Sequence, residues 1–172
     1  MTEQDVRRGL NGVVADYTAV SKVNAETNSL LYRGYPVQEL AEHCSFEEVA
    51  YLLWHGELPN DEQMAEFREG CMANRDIDEE LIQVINFMPK DCHPMDVLRT
   101  AVSYLGTHDE YKFTPDSDHI RSVARQLLAK LPTIVATDIR RRQGKEYLAP
   151  SRDKNFSENF LWMVFGDGEG SP

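Results

Sequence analysis

The sequence predicts a mostly helical chain with a small extended element at its N-terminal end. Three observations carry this. Apolar residues recur at three- and four-residue spacing from residue 37 onward, most regularly through Ile120, Val123, Ala124, Leu127, Leu128 and Leu131. Capping patterns precede several of these runs, as in Ser45 with Glu48 and Asn60 with Gln63. Short apolar or β-branched runs that do not fit a helix are confined to residues 9–36.

Taken in order, Leu10–Ala15 and Ser29–Gly34 are such runs, and the polar stretch Asn24–Asn28 separates them, so a small hairpin or extended arm is expected over 1–36. Pro36 suits a first helical position and opens a short helix from Val37 to His43. The next helix starts after Ser45, places Phe46, Val49, Ala50 and Leu53 on one face, and ends at Gly56. Pro59-Asn60 opens a helix with the stripe Met64, Phe67 and Cys71. Asp78 to Met88 carries Leu81, Ile82, Ile85 and Met88, and Pro89 stops it.

His93-Pro94-Met95-Asp96 begins a helix whose expected apolar face is Met95, Leu98, Ala101, Val102 and Leu105, with Gly106 as its terminator. A polar loop follows from Thr107 to Asp116. The long helix over 117–143 is expected to kink at Pro132 and continue through Ile134, Val135, Ala136 and Ile139. Phe156 to Phe165 reads as a last, very apolar helix. The organisation expected is therefore an arm over 1–36, a helical portion over 37–166 and a linker-like tail over 167–172. Residues 94–105 and 117–143 are rich in apolar and small side chains. If their faces lack a partner within the chain, they form an oligomer interface.

The 172 residues suit one domain, and the net charge of −11 argues against nucleic acid and anionic lipid as partners. No apolar run approaches the roughly 20 residues of a membrane span. The N-terminus lacks the plan of a signal peptide. Cys44, Cys71 and Cys92 form no CxxC pair and read as reduced, buried thiols, which with the missing leader makes the cytoplasm the expected compartment.

The five histidines, His43, His55, His93, His108 and His119, show no metal-ligand spacing. His43 and His55 fall at helix C-termini, where an imidazolium is favoured. His93 precedes Pro94 and reads as a loop-fixing residue or a substrate contact, while His108 and His119 read as solvated. The one basic cluster is Arg140-Arg141-Arg142 with Lys145. It reads either as a solvated helix end or as an anion contact, such as a nucleotide phosphate. Arg33, before Gly34, is either an anion contact or part of a structural ion pair. Cys92 and His93 adjoin in sequence, and neighbours on a chain point apart, so a thiol nucleophile is not read here.

Several segments, taken in order, resemble the citrate synthase family. They are Gly9–Ala15, Tyr32-Arg33-Gly34-Tyr35-Pro36, Phe46–Ala50 with Gly56-Glu57-Leu58-Pro59, His93-Pro94-Met95-Asp96-Val97-Leu98-Arg99-Thr100, Lys130–Ala136 and Asn159–Met163. Ala19–Val23, Thr27–Leu30 and Cys92–Asp96 are most similar to the bacterial 2-methylcitrate synthase branch. The resemblance implies an all-α homodimer of which this chain is the N-terminal part of the large domain. It implies that the whole enzyme condenses propionyl-CoA or acetyl-CoA with oxaloacetate, with acyl-CoA as substrate and no bound cofactor. The family supplies its acid–base groups from a His-Gly-Gly-like segment, a Gly-Phe-Gly-His-like segment and a later Asp. No segment here matches them, so no catalytic residue is assigned and this chain alone is expected to be inactive. Arg33, Arg140, Arg141 and Arg142 align loosely with positions that approach the coenzyme phosphates in some members. The alternative is a short, non-catalytic helical module for dimerisation or interaction.

Overall fold

The computed structural model describes residues 9, 12–14, 16–109 and 116–166. They form two compact units, divided between Pro59 and Asn60. The first contains a three-stranded antiparallel sheet, β1 (Ser21–Asn24), β2 (Ser29–Tyr32) and β3 (Tyr35–Pro36), in the order β1-β2-β3, followed by α1 (Val37–His43) and α2 (Phe46–His55). The second contains α3 (Asp61–Ala73), α4 (Glu79–Phe87), α5 (Pro94–Thr107), α6 (Ser117–Arg142) and α7 (Phe156–Phe165). The mostly helical class with an N-terminal sheet is as the sequence predicts. The compact unit holding that sheet extends past residue 36, because α1 packs against β2 and β3. The linker-like stretch 167–172 lies outside the described residues, as do Leu10, Asn11, Ala15 and most of the polar loop before Asp116.

The second expected run, Ser29–Gly34, holds β2, but the first strand sits later than expected. Val13 and Val14 are exposed and in no regular element, and the first strand is Ser21–Asn24. It pairs with β2 in the register Ser21↔Tyr32 to Asn24↔Ser29. The side chain of Asn24 accepts hydrogen bonds from the amides of Glu26 (3.0 Å) and Thr27 (3.4 Å), turning the chain before Asn28 at φ 48°. Tyr32↔Tyr35 pairing leaves a two-residue loop, Arg33-Gly34, with φ of 49° and 94°. Two positive φ values are what a type I′ hairpin turn requires.

Helix ends follow the local chemistry. Ser45 with Glu48, Asn60 with Gln63, and Asn155 with Glu158 form reciprocal capping boxes for α2, α3 and α7. Asp78 and Asp116 cap α4 and α6 from one side. Gly56 ends α2 in the left-handed region at φ 92°. Pro36 stands at the N-cap of α1 rather than inside it. Thr107 extends α5 one residue past Gly106. Pro132 lies inside α6, which runs through it without a break in helical structure.

Two expected faces are corrected in part: Ala50 in α2 and Ala101 in α5 are buried as expected, and Leu98 and Leu105 pack against the core. In α2 the deepest side chain is Leu52, fully buried, whereas Phe46 is 48% exposed. Val49 to Trp54 is apolar almost all round, so spacing alone does not choose the buried face. In α5, Val97 and Ala101 are buried and Met95 is 58% exposed. The main core joins α4, α5 and α6 through Leu81, Ile85, Val97, Ala101 and Ile134, with Ile77 before α4. A second cluster seats α7 on α6 through Ala136, Met163 and Val164. The strongest sequence stripe, Ile120 to Leu131, is only half-buried along most of its length, and Ile120 is 53% exposed.

The chain between α3 and α4 is pinned from several sides. Thr133 Oγ1 donates to the Arg75 carbonyl (2.7 Å), and Lys130 Nζ donates to that of Asp76. Arg75 Nη1 donates to the carbonyls of Ser151 (3.1 Å) and Lys154 (2.8 Å), and the Tyr147 hydroxyl donates to Asp76 Oδ1 (2.8 Å). Burial first, then the hydrogen bond and the charge of Asp76, push the Tyr147 phenol well above its ordinary value. A raised folded value favours the neutral phenol. Its contribution is therefore complete below about pH 10, the usual tyrosine range, and is lost as pH rises from there toward the folded value. Tyr147→Phe is expected to cost about 1 kcal/mol at neutral pH. Urea titrations of both proteins are expected to show that difference shrinking above about pH 10.

Candidate functional site

The last turn of α6 holds the basic cluster, and the structure makes it a hub of hydrogen bonds. Asp138 is buried and faces two of the three arginines. Its Oδ1 accepts from Arg141 Nη2 (2.6 Å) and Nε (3.1 Å), and its Oδ2 accepts from Arg142 Nε (2.7 Å). The spacing of three and four residues along one helix brings these groups together. Arg141 is itself buried and also donates to the Met88 carbonyl at the C-cap of α4. Arg142 donates to the Lys90 carbonyl (2.5 Å) and lies 3.7 Å from Cys92 Sγ. The hydrogen bond to Asp138 raises the Arg142 guanidinium further above its already high value, against the opposing effect of desolvation. Arg140 reaches the other way, to the carbonyls of Glu146 (2.5 Å) and Val164 (3.3 Å) in the last turn of α7.

Of the two sequence readings, a solvated helix end describes only part of this turn. The cations do sit at the negative end of the helix. They are also spent on carbonyls at the ends of α4 and α7, groups that those helices cannot satisfy internally. Arg33, in the first unit, behaves alike: its Nη2 (2.7 Å) and Nε (3.2 Å) donate to the Leu53 carbonyl near the C-terminus of α2. Arg33, Arg140 and Arg142 are half-buried. A phosphate reaching any of them would meet a cation already fixed in place.

The histidines divide by environment. His43 and His55 occupy the last turns of α1 and α2, and His55 stacks on Tyr51 with ring centroids 4.0 Å apart. His93 is the N-cap of α5: its Nδ1 accepts from the Met95 amide (3.1 Å), which places the ring proton on Nε2. This is the loop-fixing role expected of it. His119 is a correction. It is not solvated but 21% exposed, and its Nε2 lies 2.9 Å and 3.1 Å from the two carboxylate oxygens of Asp109. The pair ties the end of α5 to the first turn of α6. It borders a cleft of about 610 Å³ walled by Val102, Leu105, Val123 and Leu127, with Asp78 and Lys130 at its polar edge. No local sequence signal links two residues ten apart across a loop.

Of the cysteines, Cys71 is buried, and Cys44 and Cys92 are half-buried; all three are free thiols. Burial, then Glu48, pushes the Cys44 thiol up. Among the described residues no group of histidine, cysteine and carboxylate side chains is arranged to hold a metal ion. Among them also, no helix is long and apolar enough to cross a membrane.

A family model described as citrate synthase, C-terminal domain, matches residues 9–172. The chain is 60% identical to 2-methylcitrate synthase 2 of Corynebacterium glutamicum, over 99% of its own length and 45% of that protein's. It is 54% identical to a citrate synthase of Mycolicibacterium smegmatis, over 94% of its own length and 43% of that protein's. The crystal structure of citrate synthase from Pyrobaculum aerophilum superposes with a TM-score of 0.86 at 32% identity, covering 95% of this chain and 43% of that one. The chain thus spans less than half the length of the curated relatives it matches.

Proposed function

Because the chain belongs to the citrate synthase family, we propose that it forms the scaffold portion of a 2-methylcitrate synthase, a whole protein that condenses propionyl-CoA with oxaloacetate. The observation that carries this is the ordered match over residues 9–172, together with 60% identity to a 2-methylcitrate synthase. A second reading, acetyl-CoA giving citrate, is favoured by the 54% identity to a citrate synthase. Either condensation joins the carbon beside the thioester to the ketone carbon of oxaloacetate. Hydrolysis of the thioester then releases the coenzyme thiol. The first step needs a carboxylate base and a group that stabilises the enol, and this sequence contains none of the segments in which the family carries them.

In this reading the residues of the chain hold and orient rather than react. Arg33, Arg140 and Arg142 are the candidate contacts for coenzyme phosphates, and Arg141 acts by holding Asp138 and the end of α4. The exposed or half-buried faces of α5 and α6, including Met95 and Ile120, support a homodimer, and the free thiols fit the cytoplasm.

A thiol-release assay with propionyl-CoA, acetyl-CoA and oxaloacetate tests the assignment. This chain alone is expected to give no release above background. A longer protein containing it is expected to turn over, faster with propionyl-CoA. Turnover by the 172 residues themselves would sink the scaffold reading, and a longer protein inert with both thioesters would sink the family activity. The oligomer is tested separately by light scattering. The expected mass is twice 19.7 kDa, and a monomer at high concentration would refute the homodimer.

A further inference from the structure

We draw no further inference here: the strongest candidate, the cleft between α5 and α6 walled by Val102, Leu105, Val123 and Leu127 with the His119–Asp109 pair at its border, carries nothing because nothing in the structure shows what covers it.

Discussion

Asp138→Ala is expected to lower the unfolding free energy by about 3–5 kcal/mol, the range for removing one partner of a buried ion pair. The reason is the guanidinium left behind. The Arg141 side chain is 5% exposed and that of Asp138 7%, so water cannot replace the lost carboxylate. Arg141 would keep the Met88 carbonyl as an acceptor but lose both hydrogen bonds to Oδ1. Arg142 would lose its Oδ2 partner while retaining Lys90. Urea unfolding followed by circular dichroism reads the effect. Asp118→Ala is the control: Asp118 also faces an arginine, Arg121 at 3.3 Å, but its side chain is 94% exposed. A pair in water contributes about 0–1 kcal/mol, so the control should barely move the midpoint. Replacing both partners, Asp138→Leu with Arg141→Met, is expected to recover part of the loss, because no buried charge is then left unpaired. Equal, small effects at Asp138 and Asp118 would show that the carboxylate is solvated, and the bracing role of the arginine turn would fall with it.

That turn also shows where reading the sequence stops. An arginine run at a helix end looks like a solvated cap because its acceptors are invisible locally. Met88 and Lys90 lie about fifty residues away along the chain, and only the packing of α4 on α6 brings their carbonyls within reach. The buried polar residue Thr133 was hidden for a similar reason: it donates to Arg75 across the chain. Helix limits were legible because they are set within four residues. Ser45 with Glu48 and Asn60 with Gln63 fix their own amides, and Gly56 alone tolerates its φ of 92°. Faces were legible only where one stripe is apolar and the rest polar, as in α3 with Met64, Phe67 and Cys71. The first strand escaped because Ser21–Asn24 holds a single β-branched residue, Val23, and its pairing depends on a turn four residues long. The family was legible although the chemistry was not, since the matching segments among the described residues include turns, caps and helix contacts, as at Arg33-Gly34, His93 and Ile134.

Ile85→Ala is the second large effect, expected at about 2–5 kcal/mol, the range for truncating a fully buried aliphatic side chain to alanine. Ile85 has no exposed surface and belongs to the cluster in which Leu81, Val97, Ala101 and Ile134 meet from α4, α5 and α6. Its neighbours cannot collapse freely into the space. α4 is capped by Asp78 at one end, and its C-cap carbonyl at the other end accepts from Arg141. α6 carries bonds to Arg75 and Asp76 that fix its distance from the start of α4. A site whose walls are held by hydrogen bonds relaxes little, so the cost should fall in the upper half of the range. Ile85→Val, which removes one methylene, should cost only about 0.5–1.5 kcal/mol. Phe87, two residues on and 87% exposed, supplies the contrast: Phe87→Ala removes a larger side chain and should shift stability by no more than about 0.5 kcal/mol. Chemical denaturation of the three variants orders them. If Phe87→Ala proved the costliest, α4 would be turned with its other face inward, and the three-helix junction described here would be wrong.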